Sequence, residues 1–282
     1  MLRQEICVLS RGDHYSSQRE ICEICLFQNL NPFSLNAKID IAKVKYPEAI
    51  GSSDEGNCFF VIDSKEKCVW KIARQTGDYH KFLDLQATQL PRIPTLSVDC
   101  NGHELLILTP RSLNIYRSFR PEGVAQKPLL TVQLPFDIEA PLHAVETSSG
   151  HFIILHSLKQ DHVMFARYMP TMDRLFAVSK VTRDGRLVVR RFVPQNETQE
   201  LSDPRYLALD SDDRVFVANG GTNRVTLLDS DLSWIRICCS TQYEDNGTIM
   251  PHRLCYDKVN RQLIVAGFFR RAGVNIYSID RK

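Results

Sequence analysis

Residues 203–229 read DPRYLALDSDDRVFVANGGTNRVTLLD, and within them two apolar runs, Val215-Phe216-Val217-Ala218 and Val225-Thr226-Leu227-Leu228, flank the polar segment 219–224. A short apolar run bounded by turn residues reads as a strand covered on both faces, because a strand with one wet face would alternate apolar with polar side chains. The order is proline, short strand, polar turn, buried run. It recurs along the chain. Pro47 leads to Phe59-Phe60-Val61-Ile62, Pro94 through Val98-Asp99 to Leu105-Leu106-Ile107-Leu108, Pro141 through Val145-Glu146 to Phe152-Ile153-Ile154-Leu155, and Pro251 through Tyr256-Asp257 to Leu263-Ile264-Val265-Ala266.

These prolines stand 47, 47, 63 and 47 residues apart, and 282 residues is six times 47. A period in the forties marks an array of supersecondary units. Each buried run is followed by an alternating third segment, as in KCVWKIA (67–73), SLNIY (112–116), NRVTLLD (223–229) and GVNIYSI (273–279), and then by a fourth, as in YHKFLDL, PLLTVQL, RLVVRRF and SWIRICC. Four strands per unit, covered on both faces by copies of the unit, predict an all-β fold: a six-bladed β-propeller of four-stranded antiparallel blades. One domain spans 1–282, with approximate blades 1–45, 46–92, 93–139, 140–202, 203–249 and 250–282. Proline suits the first residue of each innermost strand, where its missing N–H breaks no ladder.

The spacing of 63 places an insertion near 160–175, after which FAVSKVTRDGRLVVRRF resumes the pattern with Asp184-Gly185 as a hairpin turn. Forty-seven residues before Lys67 lies EICEICL (20–26), and before Lys81 lies Ser34 to Asp40, so 1–45 supply much of a first blade. The sixth unit ends after its third strand. An N-terminal segment, RQEICVL (3–9), is expected to complete it.

Apolar residues are 43% and charged residues 24% of the chain, with 13 Gly and 13 Pro, which excludes disordered and collagen-like classes. Net charge is +2, so no global field selects nucleic acid or an anionic membrane, and any basic site is local. No apolar run is long enough to span a bilayer and MLRQEICVLSRGDHY (1–15) lacks a signal-peptide core. The reading is a cytoplasmic, monomeric propeller with no membrane partner. Nine cysteines, an odd number and several inside apolar runs, fit a reducing compartment. The sequons at Asn196 and Asn246 would matter only after secretion.

The string Pro204-x-x-Leu207-Ala208-Leu209-Asp210, then Val215-Phe216-Val217-Ala218, then Asn223-Arg224-Val225 resembles the NHL repeat, with Asn219 where that repeat usually has Asp. Asp63 keeps the position after FFVI, whereas the third unit has Thr109-Pro110 there and the sixth Gly267-Phe268. The resemblance implies a propeller similar to the C-terminal domains of tripartite-motif proteins, which bind RNA or protein on one face of the disc. RING and B-box domains carry the ubiquitin-ligase function of that family. Here Cys22-x-x-Cys25 stands without a second metal pair, inside a strand-like segment, so no RING and no zinc site is expected.

No nucleophile elbow, P-loop, HExxH or EF-hand string occurs, and HELLI (103–107) lacks the second histidine. The residues starting the inner strands are poor in carboxylates, so no divalent-ion cofactor is expected. His143, His151 and His156 read as hydrogen-bonded structural histidines, and DSDD (210–213) as a turn. What remains is a face. The turn between second and third strands and the start of the innermost strand share one end of every blade. That end collects Lys65, Lys67, Arg111, Lys159, Arg205, Asn223, Arg224, His252, Arg253, Arg270 and Arg271, with Tyr206, Phe268 and Phe269 as aromatic surfaces. Two partners fit it, a protein or single-stranded RNA. The leading expectation is therefore a non-catalytic scaffold without cofactor. The alternative is a metal-dependent hydrolase or lyase of the gluconolactonase-like type, its ligands gathered from several blades at a central channel.

Overall fold

The computed structural model describes residues 6–12, 21–30, 33–41, 43–53, 57–88, 90, 94–99, 102–118, 127–158, 175–186, 188–240, 250–258, 260–269 and 271–279. The expected insertion near 160–175 lies almost wholly outside them. Leu158 N–H donates to Leu175 O at 2.8 Å, so the described residues on either side of that stretch are neighbours. No helix among the described residues is long and apolar enough to cross a membrane.

The regular structure is almost all β and every described pair of strands is antiparallel. The first sheet holds β1 (Ile6–Gly12), β2 (Ile21–Leu30) and β3 (Phe33–Asp40). The second holds β4 (Pro47–Ser53), β5 (Cys58–Asp63), β6 (Cys68–Ala73) and β7 (Tyr79–Asp84). The third holds β8 (Leu96–Val98), β9 (Glu104–Leu108), β10 (Ser112–Arg117) and β11 (Leu130–Gln133). The fourth holds β12 (Ile138–Glu146), β13 (Phe152–Leu158), β14 (Phe176–Val181) and β15 (Val188–Phe192). The fifth holds β16 (Pro204–Leu209), β17 (Val215–Asn219), β18 (Arg224–Leu228) and β19 (Trp234–Ser240). The last holds β20 (Pro251–Asp257), β21 (Gln262–Phe269) and β22 (Arg271–Ser278).

This is the all-β propeller architecture of four-stranded antiparallel blades, with a correction to the count. The propeller has five blades, not the six expected from the period; among the described residues four sheets have four strands and the terminal two have three. The segment meant to close the last blade is committed elsewhere. Residues 6–12 pair with β2 from Ile6↔Phe27 to Gly12↔Ile21. A hairpin between neighbouring segments closes a short loop, whereas pairing with β22 would close nearly the whole chain, and loop entropy favours the first.

The chain divides into two compact units, Met1–Thr109 with Asn114–Thr131, and Pro110–Leu113 with Val132–Lys282. In the first unit, β5 is buried on both faces as its unbroken apolar run requires: Phe59 and Val61 pack with Ile39 and Ile41, while Phe60 and Ile62 pack with Leu96, Leu105 and Ile107. In the second, β17 repeats the arrangement. Val215 and Val217 join Ile153, Leu155 and Leu207, whereas Phe216 and Ala218 join Leu254, Leu263 and Val265. Each such Phe, Val, Leu or Ile side chain contributes roughly 1.5–3 kcal/mol of burial.

Polar side chains fix the turns between first and second strands. Asp210 is buried and its carboxylate accepts Asp212 N–H and Arg214 N–H, both at 2.9 Å, and the Arg214 side chain at 2.6 Å. Thus DSDD is a turn closed by its own first carboxylate. Asp99, Thr147 and Asp257 hold the corresponding turns of other sheets. At the edge strand β15, Arg190 is exposed, but Arg191 turns to Asp137 at 2.6 Å and donates to Ser179 Oγ at 2.9 Å.

Candidate functional site

Register places the proline of three inner strands opposite the last part of the second strand: Pro47↔Asp63, Pro204↔Asn219 and Pro251↔Gly267. The start of the inner strand and the turn into the third strand therefore lie at the same end of each sheet. Directly after each proline the register slips by one residue, leaving Glu48, Arg205 and His252 as the extra residues of bulges. β12 slips more widely, between Glu139 and His143 around Pro141. Bulges re-aim side chains that strict alternation would send to opposite faces.

In the second unit the bulged starts of β12, β16 and β20 are neighbours, and their side chains meet. The rings of His143 and Tyr206 lie 3.7 Å apart, tilted by 37°, and the Arg253 guanidinium stands 5.0 Å from the Tyr206 ring centre. Arg205 is ion-paired with Asp203 at 2.7 Å. His143 is 1% exposed. Its Nδ1 accepts Leu207 N–H at 3.4 Å, which leaves the ring proton on Nε2, and Nε2 has no hydrogen-bond partner among the described residues. The expectation of a satisfied structural histidine holds for His156, whose ring nitrogens reach Ser157 O and Ser179 Oγ, each at 2.8 Å. His143 is only half satisfied.

Burial, aided by the charge of Arg253, holds His143 at about 3, and burial with Arg253 and Arg205 holds His252 at about 4 against the pull of Asp203. Both imidazoles are neutral at pH 7. Burial likewise takes His156 down to about 4 and pushes the Tyr206 phenol up. In the unfolded chain these histidines titrate near 6.5. Below that value the unfolded state binds protons that the folded state refuses, so stability is complete above pH 6.5 and is lost as pH falls toward 4. The slope is about 1.4 kcal/mol per pH unit for the fully buried His143. Melting temperatures at pH 7, 6 and 5 should fall stepwise, with His156→Gln flattening the fall.

Of the predicted face, the structure brings Arg205, Tyr206, His252 and Arg253 together. Others lie apart. Lys65 is exposed with its ammonium 5.4 Å from the Tyr46 ring, and Lys67 is exposed at the end of the same turn with φ 47°. Asn223 takes the matching left-handed position, φ 54°, before β18, where asparagine is well suited. Arg111 is exposed between β9 and β10, and Arg224 begins β18 opposite Asn219 and Ser240. Lys159 and Arg270 lie outside the described residues, and for Phe268, Phe269 and Arg271 only the backbone strand is described. The sequence places His143 at the start of an inner strand, as it does Tyr206 and Arg253, but the expected binding face left it out. The signal available was its position two residues after Pro141, as Tyr206 follows Pro204 and Arg253 follows Pro251.

The Gly220-Gly221 turn sits against the bend that carries Asp203. Gly221 N–H donates to Ser202 O at 2.7 Å, and a Cβ on Gly221 would collide with Ser202 Oγ and lie 2.7 Å from Ser202 O. Only glycine allows that approach. Asn219 ties the same bend, accepting Ser202 N–H at 2.8 Å and donating to Glu200 O.

No group of three or more His, Cys, Asp or Glu among the described residues is placed to hold a metal ion. No known protein family matches the sequence, and no curated protein matches it. Solved structures do match. Kuenenia stuttgartiensis hydrazine synthase aligns with a TM-score of 0.64 at 11% identity, over 92% of this chain and 93% of that one. A structure of the nidogen/laminin complex aligns at 0.57 and 12% identity, over 88% and 82%. A catalytically inactive virginiamycin B lyase from Staphylococcus aureus with quinupristin aligns at 0.54 and 10% identity, over 90% and 80%. The likeness is one of fold. Because the solved structures include enzymes, the fold by itself does not exclude catalysis.

Proposed function

We propose that the chain is a non-catalytic, NHL-type binding scaffold that recognises an acidic segment of a protein partner through Arg205, Tyr206, His252 and Arg253. The observation that carries this reading is the meeting of two guanidinium groups and two neutral imidazoles at neighbouring inner-strand starts. Arginine presents planar donors that suit carboxylates, and charge-assisted hydrogen bonds are the strong ones. Single-stranded RNA is the less favoured partner. Reading bases needs open aromatic faces, and the Tyr206 ring is already engaged by His143 and Arg253. Imidazoles held at about 3 and about 4 make weak proton acceptors at neutral pH, which supports a scaffold over an acid–base enzyme. The NHL-type assignment rests on the fifth unit's string and on the shared position of Asp63 and Asn219, each tying the segment before its inner strand to the end of the second strand.

The test is crosslinking in cells followed by identification of captured proteins, comparing the wild type with Arg205→Glu/Arg253→Glu. Capture of partners with acidic segments should fall at least roughly tenfold, a difference of about 1.4 kcal/mol, while the melting temperature changes little, since both sites are half-exposed. Unchanged capture would reject this face. Salt-sensitive retention on an RNA column, lost in the same variant, would replace the protein reading by the RNA one. The central-channel hydrolase or lyase remains the second reading, favoured by the likeness in fold to enzymes, and one divalent ion retained by the purified protein would support it.

A further inference from the structure

The cysteines at 238 and 239 are adjacent in β19, and strict alternation would send their side chains to opposite faces of the sheet. The register prevents this. Val225 pairs with Cys239 and Thr226 with Ile237, so Cys238 is the extra residue of a bulge. As a result both side chains pack against the same apolar cluster, Cys239 as a buried member beside Phe216, Val225 and Leu263, and Cys238 partly buried against it. Both are free thiols.

We propose that Cys238 and Cys239 form a reversible dithiol–disulfide switch driven by hydroperoxides. Hydrogen bonding between the two groups unequalises them: Cys238 is lowered by the bond from Cys239 and by the charges of Arg236 and Arg214, against the opposing effect of burial, while Cys239 is raised by that bond and by burial. The thiolate is the reactive form, so Cys238 is the attacking residue. Cys238 sulfur attacks a peroxide oxygen, the O–O bond breaks, and the leaving oxygen takes a proton to depart as water or an alcohol, leaving a sulfenic acid on Cys238. Cys239 then attacks that sulfur. The S–O bond breaks, the thiol proton joins the departing hydroxyl as water, and the disulfide forms. Across both steps two thiols lose two electrons to one peroxide.

The geometry makes the product labile. Consecutive Cα atoms across a trans peptide are about 3.8 Å apart, below the roughly 4.4–6.8 Å range of ordinary disulfides. Strained disulfides are easily reduced, which suits a switch and not a staple. Closing the bond also draws Cys239 sulfur from the packing that joins the fifth sheet to Leu254, Leu263 and Val265 of the last.

The full reduced chain is treated with one equivalent of hydrogen peroxide at pH 7, blocked with iodoacetamide and digested with trypsin. The peptide Ile237–Arg253 contains these two cysteines and no other. It should lose both alkyl groups together and become lighter by two hydrogens, with full recovery after dithiothreitol, while the exposed Cys255 remains alkylated. In Cys239→Ala, dimedone should instead trap a sulfenic acid at Cys238. The proposal is overturned if both thiols remain alkylated after peroxide, if Cys238 passes to sulfinic acid with Cys239 still alkylated, or if either pairs with a different cysteine. The wild-type measurement stands by itself should the variant fail to fold.

Discussion

Phe216→Asp is expected to leave no cooperatively folded protein under conditions where the wild type melts in a single transition. Phe216 is fully buried, its ring lies 5.7 Å from Tyr256 in a stacked pair, and it fills the space between the fifth sheet and Leu254, Leu263 and Val265 of the last. Truncating a core phenylalanine removes about 3–5 kcal/mol. A carboxylate there buries a charge among apolar side chains, which costs several kcal/mol more. That sum is comparable with the whole stability of a typical domain, about 5–15 kcal/mol. Circular dichroism melts and limited proteolysis would check it, with Phe216→Leu as the control that keeps most of the apolar volume. A soluble Asp variant with a wild-type transition would remove Phe216 from the core and with it the two-sided burial of β17.

That two-sided burial is what the sequence made legible. Unbroken apolar runs such as FFVI, LLIL, FIIL and VFVA cannot alternate, so they demand cover on both faces, and each became the second strand of its sheet. The terminal segments gave no such constraint. EICEICL and RQEICVL follow no period of two and lack the proline that opens an inner strand, so only the pairing of β1 with β2 settled where Ile6–Leu9 belongs. The site was half legible for a related reason. Prolines told where the inner strands begin, and thus that Arg205 and His252 share an end of their sheets. The bulges after the prolines were not visible, because a one-residue slip changes no composition or period. It is these bulges, and the wider one around Pro141, that accompany the meeting of His143 with Tyr206.

Asp63→Ala should cost about 3 kcal/mol, the largest loss expected from a single polar side chain in the first unit. Asp63 is fully buried, and its carboxylate accepts four backbone N–H groups: Lys45 at 2.8 Å, Tyr46 at 3.3 Å, Lys65 at 3.0 Å and Glu66 at 3.1 Å. It therefore holds both the segment leading into β4 and the turn that presents Lys65. A loss of this size lowers the melting temperature by roughly 6–12 °C in a chain of this length. Asp63→Asn should not rescue it fully, although Asn219 occupies the matching position of the fifth sheet. Whichever way the amide is set, one carboxylate oxygen becomes a donor, meeting either Lys45 N–H or the three N–H groups of Tyr46, Lys65 and Glu66. Asn219 avoids that conflict because Glu200 supplies a carbonyl to its amide while Ser202 supplies an N–H to its oxygen. Thermal melts of the two Asp63 variants would decide the matter: Ala lowest, Asn between Ala and wild type. Equal melting of Asn and wild type would mean that the segment before β4 is held by something other than this carboxylate.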